Sequence, residues 1–91
     1  MEVIKSLGEI LANNINISPT AARGLIKLAI KDELGPFTDL NRINYENLQS
    51  TIQNSLKKRL KNLTLKNLDM ITESLLIHLK EIQSLITMAN V

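Results

Sequence analysis

The sequence predicts an all-α fold, a small four-helix bundle-like domain with a long C-terminal helix. Apolar residues recur three and four positions apart over most of the chain, which is the spacing of one helix face. Hydrophobic residues make up 44% of the sequence but aromatic residues only 2%, so the core must be built from Leu, Ile and Ala, and sheet is disfavoured. Three glycines and two prolines leave few breaks between helices.

Length and composition limit the function classes. The 91 residues predict a single helical domain over residues 1–91 with a thin core. The absence of cysteine excludes disulfides, zinc thiolate sites and thiol nucleophiles, and it fits an intracellular protein. No apolar run approaches the roughly 20 residues that span a bilayer. We therefore expect a cytoplasmic protein with no membrane partner.

The first helix is predicted from Glu2 to Asn13, and asparagines follow it. Asn16 is a residue type that readily adopts the left-handed conformation at a helix end. Charged residues occupy one side of this helix. Its apolar face consists of Val3, Ile4, Leu7, Ile10 and Leu11.

The second helix is predicted to begin at Ser18 and Pro19 and to continue through Leu34. Serine can cap the free amides, and proline at the first helical position loses no hydrogen bond. Gly35 and Pro36 then end the helix. Gly24 within it indicates a close helix crossing nearby. The face expected to pack consists of Ala21, Ala22, Leu25, Leu28 and Ala29, extended by Ile26 and Ile30.

The connector and the third helix follow. Phe37 is expected to close one end of the core, and Thr38 or Asp39 to cap a short turn. Asn44 is the predicted N-cap of the third helix, which either reverses after Leu63 or continues as a bent helix into the last one. Its apolar residues are Tyr45, Leu48, Ile52, Leu56, Leu60 and Leu63.

The last helix is predicted to run from Leu65 to Val91 with apolar residues on two opposite faces. One face is a core stripe made of Leu68, Ile71, Leu75, Leu79, Ile82 and Ile86. The other is the predicted partner interface, made of Met70, Ile77 and Met88 with Leu85 on its flank. Two interpretations stay open. Either this second stripe binds another protein, or the first helix and the connector cover it within one chain.

The main functional hypothesis is a non-enzymatic helical interaction or assembly module. Its expected partner is another protein or a second copy of the chain, giving a homodimer through the C-terminal helix. His78 is the only histidine, and no phosphate loop, nucleophile motif or metal-ligand cluster accompanies it. We therefore expect no catalytic residues, no cofactor and no metal site. Asp32 and Glu33 are expected to form local ion pairs, with Arg42 or Arg59 as candidates.

The alternative hypothesis is a small helix-turn-helix DNA-binding protein that uses the helix from Pro19 to Leu34. Ala12, Asn16 and Ala22 have the spacing of such a motif, although Asn16 replaces the usual turn glycine. Ser18, Thr20, Ala21 and Arg23 would then face the DNA groove. Basic residues on the second and third helices are candidates for phosphate contacts. They are Arg23, Lys27, Lys31, Lys57, Lys58 and Lys61.

Overall fold

A computed structural model describes residues 2–63 and 67–82, which contain four helices and one short 3-10 turn. Helix α1 is Glu2–Ile15 and α2 is Pro19–Leu34. Helix α3 is one rod of three consecutive segments, Tyr45–Thr51, Ile52–Leu56 and Lys57–Lys61. Helix α4 is Leu68–Glu81. These residues contain no strand, and the predicted all-α class is confirmed.

The helices pack around a single core in the order in which they follow along the chain. Helix α1 packs against α2 and α4, and α3 also packs against α2 and α4, so each helix has two main neighbours. The core is almost entirely aliphatic, as the composition predicts. Its most completely buried large side chains are Ile4, Leu7, Leu11, Ile26, Ile30, Ile43, Leu48, Ile52, Leu56, Leu60, Leu75 and Leu79.

A short turn joins α1 to α2. Asn16 adopts the left-handed conformation, with φ 58°, and the amide of Ile17 donates to the carbonyl of Ala12 at 3.2 Å, so α1 ends two residues later than predicted. The Ser18 hydroxyl then accepts from the amide of Ala21 at 3.1 Å. The predicted cap of α2 is therefore confirmed.

The close crossing between α1 and α2 lies at Gly8 rather than Gly24. A Cβ added to Gly8 would stand 2.6 Å from Cγ of Arg23, whereas a Cβ on Gly24 would meet no atom within 4 Å. The predicted role of Gly24 is wrong because it lies on the outer side of α2. The packed face of α2 also differs from the prediction, since Ala21 and Leu28 are exposed. Its buried residues are Ala22, Ile26, Ala29 and Ile30.

The connector between α2 and α3 places its aromatic residue in solvent. The amide and the hydroxyl of Thr38 both donate to the carbonyl of Gly35, at 3.3 and 2.8 Å, which closes a tight turn. Phe37 occupies the corner of that turn and is 98% exposed, so the prediction that it closes the core is wrong. Ile43, also expected as an anchor of the connector, is buried, and of the two predicted cap residues it is Asp39 that caps the 3-10 turn before it.

Helix α3 begins as predicted and contains a π-helical turn that was not predicted. The side chains of Asn44 and Asn47 each accept from the other residue's amide, at 2.8 and 3.1 Å. The core aliphatic residues of α3, Leu48, Ile52, Leu56 and Leu60, are spaced by four residues, a spacing that drifts by about 40° per step on a regular α-helix. The π-helical turn Ile52–Leu56 rotates less per residue and keeps Leu56 and Leu60 on the core side.

The reversal between α3 and α4 makes them separate helices. Asn67 is left-handed, with φ 60°, which a continuous helix does not allow. Helix α4 therefore begins at Leu68 rather than Leu65, and within the described residues it ends at Glu81, with Ile82 in a turn. The predicted continuation to Val91 lies outside the described residues. Leu63, expected in the core, is 49% exposed in the reversal.

Candidate functional site

The outer face of α4 carries two large exposed apolar side chains. Met70 is 67% exposed and Ile77 is 53% exposed. They are seven residues apart, so they lie almost in line, about 20° from each other around the helix axis. Leu85 and Met88, the other members of the predicted interface, lie outside the described residues. Neither α1 nor the connector covers Met70 or Ile77, although both elements are among the described ones.

Charged side chains flank this apolar line. Glu73 and Lys80 are both exposed, and neither forms an ion pair with any described residue. Glu81, on the other flank, has a carboxylate oxygen 4.0 Å from Nδ1 of His78. We call the surface made of Met70, Glu73, Ile77, Lys80 and Glu81 the α4 outer face.

The first turn of α4 is tied to α3 by an ion pair. Nζ of Lys57 lies 2.8 Å from the carboxylate of Asp69, and the pair is exposed to solvent. The hydrogen bond from Lys57 lowers the pKa of Asp69, and the positive charge adds to the effect. Lys57 was a candidate for phosphate contacts, and in this structure its ammonium group holds Asp69.

The candidate phosphate contacts on α2 differ in their surroundings. Arg23 is half-buried against α1, and its guanidinium donates to the hydroxyl of Thr20 at 3.2 Å. Lys27 and Lys31 are exposed on the side opposite the buried face of α2, and within the described residues they form no ion pair. The outward surface of α2 therefore carries these two lysines, while Asp32 and Glu33 follow them in the last turn of the helix.

Two of the basic residues at the end of α3, Lys58 and Arg59, line a polar depression. Lys58 and Lys61 are exposed, while Arg59 forms a two-point contact with Asp32 of α2, with Nη2 to Oδ1 at 3.1 Å. The depression has a volume of about 500 Å³. It is lined by Asp32, Ser55, Lys58, Arg59 and Asn62.

The predicted ion pairing of Asp32 is confirmed, with Arg59 as its partner. The hydrogen bond from the guanidinium lowers the pKa of Asp32, and the same bond raises the pKa of Arg59. Glu33 instead accepts a hydrogen bond of 2.8 Å from the hydroxyl of Ser55, and Arg42 lies 3.6 Å from Asp39. The contacts of Asp32 and Glu33 join the last turn of α2 to α3, and the contact between Arg42 and Asp39 lies within the connector, so all three have a structural explanation.

The remaining candidates are a histidine and an aromatic residue. Nε2 of His78 is buried and has no hydrogen-bond partner among the described residues, although the side chain as a whole is 25% exposed. Phe37 is a surface residue that the sequence interpretation missed. The signal for it was the adjacent Gly35 and Pro36, because this pair is typical of turns and connecting segments lie at the protein surface.

Over residues 2–63 and 67–82, no group of three or more acidic or histidine side chains is placed to hold a metal ion. No helix over the same residues has the length and apolar character to cross a membrane. The chain matches no family model, no curated protein and no solved structure.

Proposed function

We propose that this chain is a non-enzymatic helical interaction module that self-associates through the α4 outer face. The observation that carries the proposal is the exposure of Met70 and Ile77 in line on one helix. A single exposed apolar side chain is ordinary on a protein surface. Two of them in line along one helix form a short apolar strip that another helix can cover.

The chemistry of this strip suits helix pairing. Burying the exposed parts of Met70 and Ile77 contributes about 1 to 2 kcal/mol for each side chain. Methionine adapts its shape to a partner surface, and a two-fold dimer is the commonest oligomer. The interface offered by one short helix is small, so we expect a concentration-dependent dimer rather than an obligate one.

Sedimentation velocity over a concentration series tests the proposal. The unmodified chain should shift from monomer to dimer as its concentration rises, and Ile77→Lys should remain monomeric at all concentrations. Leu28→Lys is the matched control, because Leu28 is 47% exposed on α2 and outside the proposed interface. It should associate like the unmodified chain. A strictly monomeric unmodified chain, or equal effects of both variants, contradicts the proposal.

A second candidate function is duplex DNA binding through α2 as the second helix of a helix-turn-helix. The observation that favours it is the exposure of Lys27 and Lys31 without ion pairs in the described chain. The left-handed Asn16 also supplies a tight turn before α2. This candidate ranks second because Lys57 and Arg59 already bind carboxylates, which reduces the positive field of α3.

Duplex binding measured at several salt concentrations tests the second candidate. Binding through phosphates weakens steeply with salt. The double variant Lys27→Glu, Lys31→Glu should abolish it, while Lys5→Glu, an exposed position on α1, should weaken it far less. Binding that both variants leave unchanged contradicts a role for α2.

A further inference from the structure

On the α4 outer face, a negatively charged residue precedes Ile77 along the helix and a positively charged residue follows it. Glu73 lies about 6 Å before Ile77 along the axis, and Lys80 lies about 4.5 Å after it. At about 100° per residue, both lie on the same side of the line through Met70 and Ile77. Both are exposed, and neither has an ion-pair partner among the residues described.

We propose that two copies of the chain pair through α4 in an antiparallel two-fold arrangement, with Ile77 beside the symmetry axis; this inference rests on the proposed self-association. In an antiparallel two-fold pair, each residue meets a residue on the same side of the partner helix. The two residues lie at equal distances from the symmetry axis, one before Ile77 and the other after it. Glu73 then faces Lys80 of the partner subunit. Because the contact is isologous, this ion pair forms twice, once on each side of the central Ile77 contact.

A parallel pair fits the same face less well. In a parallel pair, each residue meets a residue at the same level along the partner helix but on the opposite side of the line through Met70 and Ile77. Lys80 then faces Glu81 of the partner subunit, and Glu73 faces Ser74 of the partner subunit. Glu81 already lies 4.0 Å from the His78 imidazole of its own chain. The antiparallel pair instead joins the two charges that have no ion pair of their own, and it also aligns the two helix dipoles favourably.

Charge reversal on α4 tests this arrangement. Glu73→Lys and Lys80→Glu should each weaken dimerisation by roughly tenfold, because each turns two attractive contacts into repulsive ones. The double variant Glu73→Lys, Lys80→Glu should restore the dissociation constant to within about threefold of the original. Glu9→Lys, an exposed reversal in the middle of α1, is the control for a general charge effect. Circular dichroism checks that every variant keeps its helicity.

The outcomes separate this inference from the proposed self-association. The chain has a net charge of +2, so two copies repel each other. If only this general repulsion mattered, Glu73→Lys would weaken dimerisation and Lys80→Glu would strengthen it. Opposite changes of that kind overturn the antiparallel arrangement, as does rescue of Lys80→Glu by Glu81→Lys, which indicates a parallel pair. If Ile77→Lys abolishes association but neither reversal changes it, only the arrangement is wrong. A monomeric unmodified chain overturns both proposals.

Discussion

The inner and outer faces of α4 contain similar apolar residues in very different surroundings. Ile71, Leu75 and Leu79 are buried against the other helices, whereas Met70 and Ile77 stand in solvent on the same fourteen-residue helix. Side-chain chemistry does not distinguish the two sets, because both consist of large aliphatic residues. Angular position around the helix does, since the neighbours α1 and α3 cover only one side. The inner face stabilises the fold, and the outer face is exposed.

Alanine substitutions on the inner and outer faces of α4 should differ most in how much they lower the free energy of unfolding. We expect Leu75→Ala to lower the free energy of unfolding by about 2 to 5 kcal/mol, because it leaves a cavity in the core. Ile77→Ala should lower it by only about 1 kcal/mol, since about half of the side chain is already in solvent. Urea unfolding at a concentration where the chain is monomeric measures both. Equal losses would place Ile77 in the core and remove the contrast between the faces.

Two glycines offer the same contrast between packed and open positions on α1 and α2. Gly8→Ala should destabilise the chain by about 1 to 3 kcal/mol, because the added methyl group meets Arg23. Gly24→Ala should stabilise it by about 1 kcal/mol, because the space is open and alanine favours the helix. Thermal unfolding of both variants gives the sign of each change. A loss at Gly24 would mean that another helix approaches there after all.

The contact between Asp32 and Arg59 joins the packed helices at their exposed edge, and its effect should depend on pH. Because the pKa of Asp32 is lowered in the folded chain, its contribution is complete above the unfolded value of about 3.9 and disappears as the pH falls through the folded value. When the pH is lowered from 7 to 3, the Asp32→Asn variant should therefore lose less stability than the unmodified chain.

Urea midpoints at the two pH values measure the effect at Asp32, and Glu9→Gln serves as a control carboxylate that is exposed on α1. The control should retain the acid sensitivity of the unmodified chain. An identical response of Asp32→Asn and the unmodified chain would show that this ion pair adds nothing to the edge between α2 and α3.

The smallest change in folding stability is expected at Phe37, the exposed aromatic residue of the connector. Phe37→Ala is expected to alter the free energy of unfolding by less than about 0.5 kcal/mol, because the ring is 98% exposed. Ile43→Ala, six residues later and buried, should cost about 2 to 5 kcal/mol. Chemical unfolding of the two variants compares them directly. A large loss at Phe37 would return the ring to the core.

The beginnings of α2 and α3 were predictable because they depend on local hydrogen bonds, whereas α4, which has no side-chain cap bond, begins three residues later than predicted. Ser18 and Asn44 cap α2 and α3 at the positions that their sequence neighbours indicate. The core faces of α1 and α4 were also predictable, since regular spacing determines which residues share a side. These features need only a few residues of context.

Features that depend on distant contacts were not predictable in the same way. Gly8 and Gly24 are both glycines inside helices, and only the position of the neighbouring helix shows which one is tightly packed. Phe37 is apolar, but the turn at Gly35 controls its direction. The π-helical turn in α3 depends on how the four-residue spacing of its core side chains fits against the neighbouring helices. The exposure of Met70 and Ile77 was expected as one of two interpretations, and the packing of α1 and α3 decides their placement.

Site-specific disulfide formation at position 77 tests self-association through the α4 outer face most directly. The sequence contains no cysteine, so Ile77→Cys introduces a single thiol, and Leu28→Cys places one on α2 as a control. If two α4 helices pair around Ile77, mild oxidation should convert Ile77→Cys rapidly to a covalent dimer and Leu28→Cys only slowly. Equal rates of disulfide formation at the two positions would contradict pairing through this face.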